Sequence, residues 1–146
     1  MLYFAYGSNM ARVHMKARCP SAKFVAAAKL RDYQLVFDMM ARMGGGGVAD
    51  VRPAKGHAVE GVLWDVAEAE LPRLDEYEQC PQVYRRQPVE VEAGGKVAKA
   101  FAYVGARPAG RCAPSMKYLR LLIQGAEEHD LSLPYVEYLD AIKTIG

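Results

Sequence analysis

The chain has 146 residues, of which 51% are hydrophobic and 25% charged, and this length and composition predict a single globular domain over residues 1–146. Its 19 basic and 17 acidic residues give a net charge of +2 and form no basic stripe, which argues against a nucleic-acid partner. Three widely spaced cysteines, no signal-peptide layout at Met1 and no apolar run of membrane-spanning length predict a cytoplasmic protein without disulfides, a metal site or membrane contact.

The first predicted strand, residues 2–6, has no charged residue and stops at Gly7-Ser8-Asn9, which favour a turn. We expect Asn9 to cap a helix over residues 10–18. A strand that ends in a glycine turn at a helix N-terminus leaves backbone N–H groups unpaired, and these can bind an anion or a polarised carbonyl. The alternative is an ordinary strand-to-helix turn, and the residues alone leave both interpretations open.

Further strands are predicted from their apolar, β-branched and aromatic residues, at 24–30, 33–37, 48–52, 58–66, 83–92 and 96–104. Arg31-Asp32 is interpreted as the turn of a hairpin between the first two of these. Gly94-Gly95 is the expected turn between the last two. The glycine run at residues 44–47 is predicted to be a flexible loop or bulge, although four glycines can also line a ligand. It lacks the Lys-Ser/Thr ending of a nucleotide-binding loop.

Helices are predicted at residues 67–78, broken near Leu71 by Pro72, and from Ser115, a good N-cap, to about residue 130. A last helix should run from Pro134 to about Ile142. Six or seven short, mostly antiparallel strands with inserted helices indicate an α+β fold around a curled sheet or small barrel.

Glu78 is the carboxylate with the most informative position. Leu71, Leu74 and Glu78 have the i, i+3, i+7 spacing of one helix face, so Glu78 should turn inward with the two leucines. A carboxylate in apolar surroundings has a raised pKa and can exchange a proton near neutral pH. Alternatively, the helix ends earlier and Glu78 meets solvent or the pair Arg85-Arg86.

Ser8 and Tyr118 are weaker candidates. No histidine or lysine near Ser8 in sequence suggests the base that a serine nucleophile needs. Tyr118 follows the cap Ser115 by three residues and could point into a site or pack in the core.

An ordered series of short segments resembles the γ-glutamylcyclotransferase-like family. The segments are residues 3–10 (YFAYGSNM), 19–22 (CPSA), 30–33 (LRDY) with Phe37, 46–49 (GGVA), 59–64 (VEGVLW), 74–78 (LDEYE) and 114–119 (PSMKYL) with Gly125-Ala126. They span nearly the whole chain in the family's order. The resemblance implies a six-stranded barrel flanked by helices.

The resemblance also implies roles for particular residues. Glu78 would be the general base and acid in the release of 5-oxoproline, the loop residues Tyr6, Gly7, Ser8 and Asn9 would hold the γ-glutamyl group, and Tyr118 would lie at the same pocket. No cofactor or metal is implied. One departure is Gln79, where family members usually have glycine, and it puts the leaving-group side of the pocket in question.

The leading hypothesis is a γ-glutamyl cyclotransferase that acts on a small γ-glutamyl amino acid or amine, as a monomer or weak homodimer. An alternative within the same chemistry is a γ-glutamyl amide lyase devoted to one intermediate. A third possibility is a catalytically silent barrel that binds an amino-acid-like ligand. Retention of Glu78 favours the enzymes, because a silent relative would be expected to have lost it.

Overall fold

The computed structural model describes residues 1–41 and 45–146, and in that part of the chain it contains five strands and four α-helices. The strands are β1 (Leu2–Ala5), β2 (Lys23–Met40), β3 (Gly47–Asp65), β4 (Tyr84–Ala93) and β5 (Lys96–Gly105). The helices are α1 (Arg12–Arg18), α2 (Leu71–Glu78), α3 (Met116–Glu128) and α4 (Leu133–Asp140), with 3-10 turns at Ser8–Met10 and Glu68–Glu70.

The strands form a closed barrel in the order β1-β3-β2-β4-β5. Neighbours are antiparallel except β1 and β5, which are parallel and meet at Tyr3 and Phe101. The predicted α+β class, a mostly antiparallel barrel flanked by helices, is therefore confirmed. The predicted number of six strands is wrong, because the barrel has five.

The miscount has its origin in bulges within β2 and β3. Both strands are long, and each contains two segments that were predicted as separate strands. Asp32 has a φ of 63°, and it faces residues 54–57 where the register between the two strands shifts. Its carboxylate accepts a hydrogen bond from the Gly56 N–H at 3.0 Å. Asp32 therefore occupies a bulge within a continuous strand, so the predicted hairpin at Arg31-Asp32 is wrong.

The predicted hairpin at Gly94-Gly95 is confirmed, since both glycines have positive φ (58° and 77°) and join β4 to β5. The predicted cap Ser115 is also confirmed: its hydroxyl oxygen accepts a hydrogen bond from the Tyr118 N–H at 3.1 Å. The glycine run begins with Gly44, which lies outside the described residues, and its last member, Gly47, is the first residue of β3.

The expectation that Asn9 caps a helix is wrong. Helix α1 begins at Arg12, Ala11 stands at its N-cap position, and no side chain caps it. Asn9 is 2% exposed and its side chain turns inward, where it forms hydrogen bonds in the barrel. A capping residue needs its side chain at the helix end, so the inward contacts of Asn9 replace the capping role.

Helix α3 lies against the 3-10 turn that follows β1. A Cβ atom on Gly125 would lie 2.6 Å from Met10 Cβ and 2.8 Å from the Ala11 nitrogen. The glycine thus permits the close approach that holds this turn in place. No helix in the two described ranges is long and apolar enough to cross a membrane.

Candidate active site

A pocket of about 320 Å³ lies where the turn after β1 meets the end of α2 and the starts of β3, β4 and α3. All the residues that the sequence singled out line it, namely Tyr6, Gly7, Ser8, Asn9, Glu78 and Tyr118. The rest of its lining is aromatic, apolar or amide-bearing: Tyr3, Met40, Ala41, Val48, Ala49, Tyr77, Gln79, Val83, Tyr84 and Tyr103. The fold therefore brings segments more than 100 residues apart in sequence around one cavity.

Helix α2 positions Glu78 in this pocket. Leu71 and Leu74 are buried at 5% and 0% exposure and fix the helix against the barrel, and Glu78 is its last residue. The helix ends there because Gln79 adopts a left-handed conformation with φ of 53°, which glycine accommodates most easily. Gln79 adopts this conformation although it carries a side chain, and the helix ends there.

Burial raises the pKa of Glu78 to about 7, while the positive charge of Arg18 and a hydrogen bond from Asn9 pull it downward. The carboxyl group is removed from water, which disfavours its charged form. The stabilising groups offset only part of that effect. Glu78 can therefore take up or release a proton near neutral pH.

Asn9 holds one oxygen of the Glu78 carboxylate. Its side-chain nitrogen donates to Glu78 Oε1 at 3.2 Å and to the Tyr3 hydroxyl at 3.1 Å. The indole N–H of Trp64 donates to the backbone oxygen of Asn9 at 3.0 Å. Among residues 1–41 and 45–146 nothing donates to Glu78 Oε2, so this oxygen is available for a ligand in the pocket.

The turn at Gly7–Met10 presents backbone donors beside this carboxylate. Its own hydrogen bonds run from the Met10 N–H to Gly7 O at 3.1 Å and from the Ala11 N–H to Ser8 O at 3.2 Å. The N–H groups of Gly7, Ser8 and Asn9 precede the first of these bonds and have no partner within the turn. Three N–H groups at the start of a helical turn can bind a carboxylate or a developing oxyanion.

Two tyrosine hydroxyls are fixed on the backbone of Ala49. The Ala49 N–H donates to the Tyr118 hydroxyl at 3.0 Å, and the Tyr84 hydroxyl donates to the Ala49 carbonyl at 2.7 Å. Burial raises the pKa of both tyrosines, so both remain neutral across the physiological range. We call Tyr84 and Tyr118 the tyrosine pair of the pocket.

Sequence reasoning missed a second polar group, made by Asp75, Arg86 and Tyr103, which reaches the pocket through Tyr103. The Tyr103 hydroxyl donates to Asp75 Oδ1 at 2.5 Å, and Arg86 Nε donates to the same oxygen at 2.8 Å. Tyr103 alternates with Phe101 along β5, a pattern that is typical of core positions, and it is 2% exposed. The only available signal was the spacing of Asp75 and Glu78, three residues apart on one helix.

Arg86 was one of the possible partners for Glu78 in sequence, and it pairs with Asp75 instead. Glu78 is thereby left free of a direct ion pair with it. In the described ranges, no group of three or more His, Cys, Asp or Glu side chains is arranged to hold a metal ion.

Comparison with known proteins adds independent findings. A family model described as "Gamma-glutamyl cyclotransferase, AIG2-like" matches residues 3–120. Gamma-glutamylcyclotransferase from Homo sapiens is 32% identical over 150 residues, covering 97% of this chain and 78% of that protein. The Mus musculus protein of the same name is 33% identical over 148 residues, with the same coverage.

The fold agrees with these matches. A solved structure of a gamma-glutamyl cyclotransferase superposes with a TM-score of 0.93 at 33% sequence identity, covering 98% of this chain and 88% of that one. A sequence match over nearly the full length and a shared barrel point to the same family. The chain is therefore an enzyme of the γ-glutamyl cyclotransferase, AIG2-like family.

Proposed function

We propose that the protein cleaves a γ-glutamyl compound by cyclising its γ-glutamyl group, releasing 5-oxoproline and a free amine or amino acid, with Glu78 as general base and then general acid. The observation that carries this proposal is a half-buried glutamate, Glu78, whose desolvated carboxyl has a pKa of about 7, in the same pocket as the donor turn at Gly7–Asn9. The family relationship supplies the reaction class.

The substrate provides its own nucleophile in this reaction. Its α-nitrogen forms a bond to the γ-carbonyl carbon, and the γ-amide bond to the leaving nitrogen breaks. The α-ammonium loses two protons in becoming the ring N–H, and the leaving nitrogen gains two in departing as an ammonium. Glu78 relays them from one nitrogen to the other, and no water is consumed. Well-oriented intramolecular attack reaches effective molarities on the order of 10⁵–10⁸ M, so the main task of the protein is to hold the substrate folded and to relay protons between the two nitrogens.

Burial of Glu78 makes that proton transfer feasible. An ordinary glutamate has a pKa about 3.5 below that of an α-ammonium near 8, a mismatch of about 5 kcal/mol. The pKa of Glu78 near 7 reduces the mismatch to about 1 kcal/mol. A base whose pKa lies close to the working pH is the most effective proton carrier.

The remaining pocket residues take binding roles in this proposal. The N–H groups of Gly7, Ser8 and Asn9 hold the substrate carboxylate or the developing oxyanion, and Asn9 also orients the Glu78 carboxylate. Tyr6 lines the pocket and is held in place by the hydrogen bond that its hydroxyl donates to the Tyr103 carbonyl. Tyr118 lines the same pocket, with its hydroxyl held by the Ala49 N–H. Ser8 acts through its backbone, since the substrate amine replaces a serine nucleophile.

The direct test is product formation. Purified protein is incubated with a panel of γ-glutamyl amino acids and γ-glutamyl amines, and 5-oxoproline is measured by mass spectrometry. We expect stoichiometric 5-oxoproline and free amine from at least one compound, and the preferred leaving group identifies the substrate. Failure to form 5-oxoproline from every member of the panel would contradict the proposed reaction.

The pH dependence is a second prediction. The reactive pair is an ionised Glu78 with a protonated α-amine, so kcat/KM should rise as pH approaches about 7, where Glu78 loses its proton, and fall above about 8, where the ammonium does. The profile is measured between pH 4.5 and 9.5. An acidic limb near pH 4.5, the value of an ordinary glutamate, would argue against burial of the catalytic carboxyl. Glu76→Gln, on the exposed side of the same helix, serves as the control with an unchanged profile.

We also propose that the enzyme works in the cytoplasm as a monomer or weak homodimer. Cys19, Cys80 and Cys112 are all unpaired thiols, the state that a reducing compartment maintains. Light scattering across a concentration series measures the assembly state.

A further inference from the structure

Two buried carboxylates outside the pocket, Asp38 and Asp50, pair with the half-buried Arg52. Asp50 on β3 is fully buried and Asp38 on β2 is 7% exposed. Arg52 lies between them, with Nε 3.0 Å from Asp38 Oδ2 and Nη2 2.6 Å from Asp50 Oδ2. An ion pair with a buried carboxylate is weak evidence of a stabilising role, because desolvation offsets its attraction. The hydrogen bonds of Asp50 and Arg52 to the backbone therefore indicate their role better than the ion pair does.

Asp50 and Arg52 both bind Gly105, the last residue of β5. Asp50 Oδ1 accepts from the Gly105 N–H at 2.8 Å, and Arg52 Nη2 donates to the Gly105 carbonyl at 3.1 Å. Strands β3 and β5 are not hydrogen-bonded neighbours in the barrel order. These two side chains consequently supply a direct connection between the start of β3 and the end of β5.

The connection requires glycine at position 105. A Cβ atom there would lie 2.5 Å from Met39 Sδ and 2.7 Å from Asp50 Oδ2, closer than ordinary van der Waals contact. Gly105 also lies opposite Tyr84 in the register between β4 and β5. The position of Gly105 thus bears on the position of Tyr84.

Asp50 is also the neighbour in sequence of Ala49, which carries the tyrosine pair. Ala49 donates its N–H to the Tyr118 hydroxyl and accepts from the Tyr84 hydroxyl. Tyr84 is therefore fixed at both ends, by its backbone opposite Gly105 and by its hydroxyl on Ala49. Both attachment points are connected to Asp50: Gly105 is hydrogen-bonded to its carboxylate, and Ala49 precedes it in the chain.

We infer that Asp50 and Arg52 are positioning residues for the active site, which hold Ala49 and Gly105 so that the hydroxyls of Tyr84 and Tyr118 stand at the pocket wall. Neither residue lines the pocket, so both act through the tyrosine pair. The effect on turnover rests on the proposed function, whereas the effect on Ala49 does not.

The test uses the isosteric substitution Asp50→Asn in the full chain, which removes the attraction for Arg52 and keeps an acceptor for Gly105. The matched control is Asp65→Asn, at the other end of the same strand, where the carboxylate pairs with the N-terminus. Hydrogen exchange of the Ala49 amide should become at least about tenfold faster in Asp50→Asn, equivalent to 1.4 kcal/mol of lost protection. It should be unchanged in the control.

Kinetics separate positioning from a purely structural role. We expect Asp50→Asn to raise KM about tenfold and to leave the acidic limb of the pH profile near 7, because Glu78 is untouched. In a background without both hydroxyls, Tyr84→Phe with Tyr118→Phe, the same substitution should change KM by less than about twofold, since coupled residues are not additive. Equal effects in the two backgrounds would overturn the inference.

Arg52→Lys keeps the charge and provides a second variant if Asp50→Asn does not fold, with the same expected direction for Ala49 exchange and KM. If the unmodified enzyme makes no 5-oxoproline, the proposed function fails, and Ala49 exchange still decides whether Asp50 and Arg52 hold that residue. If the enzyme is active and both Ala49 exchange and KM are unaffected by either variant, the positioning role is wrong.

Discussion

Glu78→Gln is expected to lower kcat by about 10²–10⁴-fold, the usual contribution of a positioned general base. Glutamine has nearly the same shape and can still accept from Asn9, but it can neither take the ammonium proton nor return one to the leaving amine. Substrate should still bind, so KM should change less than kcat. The measurement is steady-state 5-oxoproline formation with the best substrate from the panel. Full activity in this variant would exclude Glu78 as the base.

The same substitution should stabilise the protein at alkaline pH. The pKa of Glu78 is about 7 in the folded protein, against 4.5 for an ordinary glutamate, so the folded state binds this proton more tightly than the unfolded state. Stability is therefore lost as pH rises between these two values. A pKa difference of about 2.5 corresponds to about 3 kcal/mol. Urea unfolding should show Glu78→Gln to be more stable by up to that amount at pH 8, and equal to the unmodified protein at pH 4.5.

The control for this prediction is Glu76→Gln. Glu76 lies on the same helix and is exposed, so its substitution removes a charge of the same sign and leaves the Glu78 carboxylate in the pocket. We expect neither a loss of kcat nor a pH-dependent gain of stability. A gain of equal size in both variants would indicate a general effect of net charge, and would contradict the burial of Glu78 as the cause.

Gly125→Ala is expected to have the largest effect on folding. Alanine normally favours a helix over glycine by about 1 kcal/mol, so an exposed position would be stabilised. Here the new Cβ would lie 2.6 Å from Met10 Cβ, 2.8 Å from the Ala11 nitrogen and 2.9 Å from the Met10 carbonyl carbon. Two of these atoms belong to the backbone and cannot move by a rotamer change. Overpacking costs about 1–3 kcal/mol or more, and we expect a net loss of about 2 kcal/mol.

Gly125→Ala should also affect activity, because it displaces helix α3 from the active site. Helix α3 can accommodate the methyl group only by moving away from the turn at Ser8–Met10, which carries the backbone donors of the site. KM should therefore rise together with the loss of stability in urea unfolding. Arg120→Ala is the control, since residue 120 is exposed on the same helix and should leave both values nearly unchanged. Unchanged stability in Gly125→Ala would contradict close packing of α3 against the turn.

The strand count illustrates where prediction from sequence stopped. Asp32 and residues 54–57 have the composition of turns, and in a local window a bulge and a turn look alike. Only the pairing of β2 with β3 on both sides of Asp32 distinguishes them. The prediction that Asn9 caps a helix was wrong for a similar reason. The preference of asparagine for helix caps is local, whereas the hydrogen bonds of Asn9 to Tyr3 and Glu78 connect residues up to 69 positions apart.

The sequence by itself determined the α+β class, the helix that ends at Glu78 and the turn at Gly7–Asn9, because helical periodicity, capping residues and glycine turns act between near neighbours. The tertiary structure decided what surrounds Glu78. Its pKa depends on burial by distant segments, and the tyrosine pair depends on Ala49, a residue with no functional side chain. Such contacts arise from barrel closure, which brings residues together without leaving a periodic pattern along the chain.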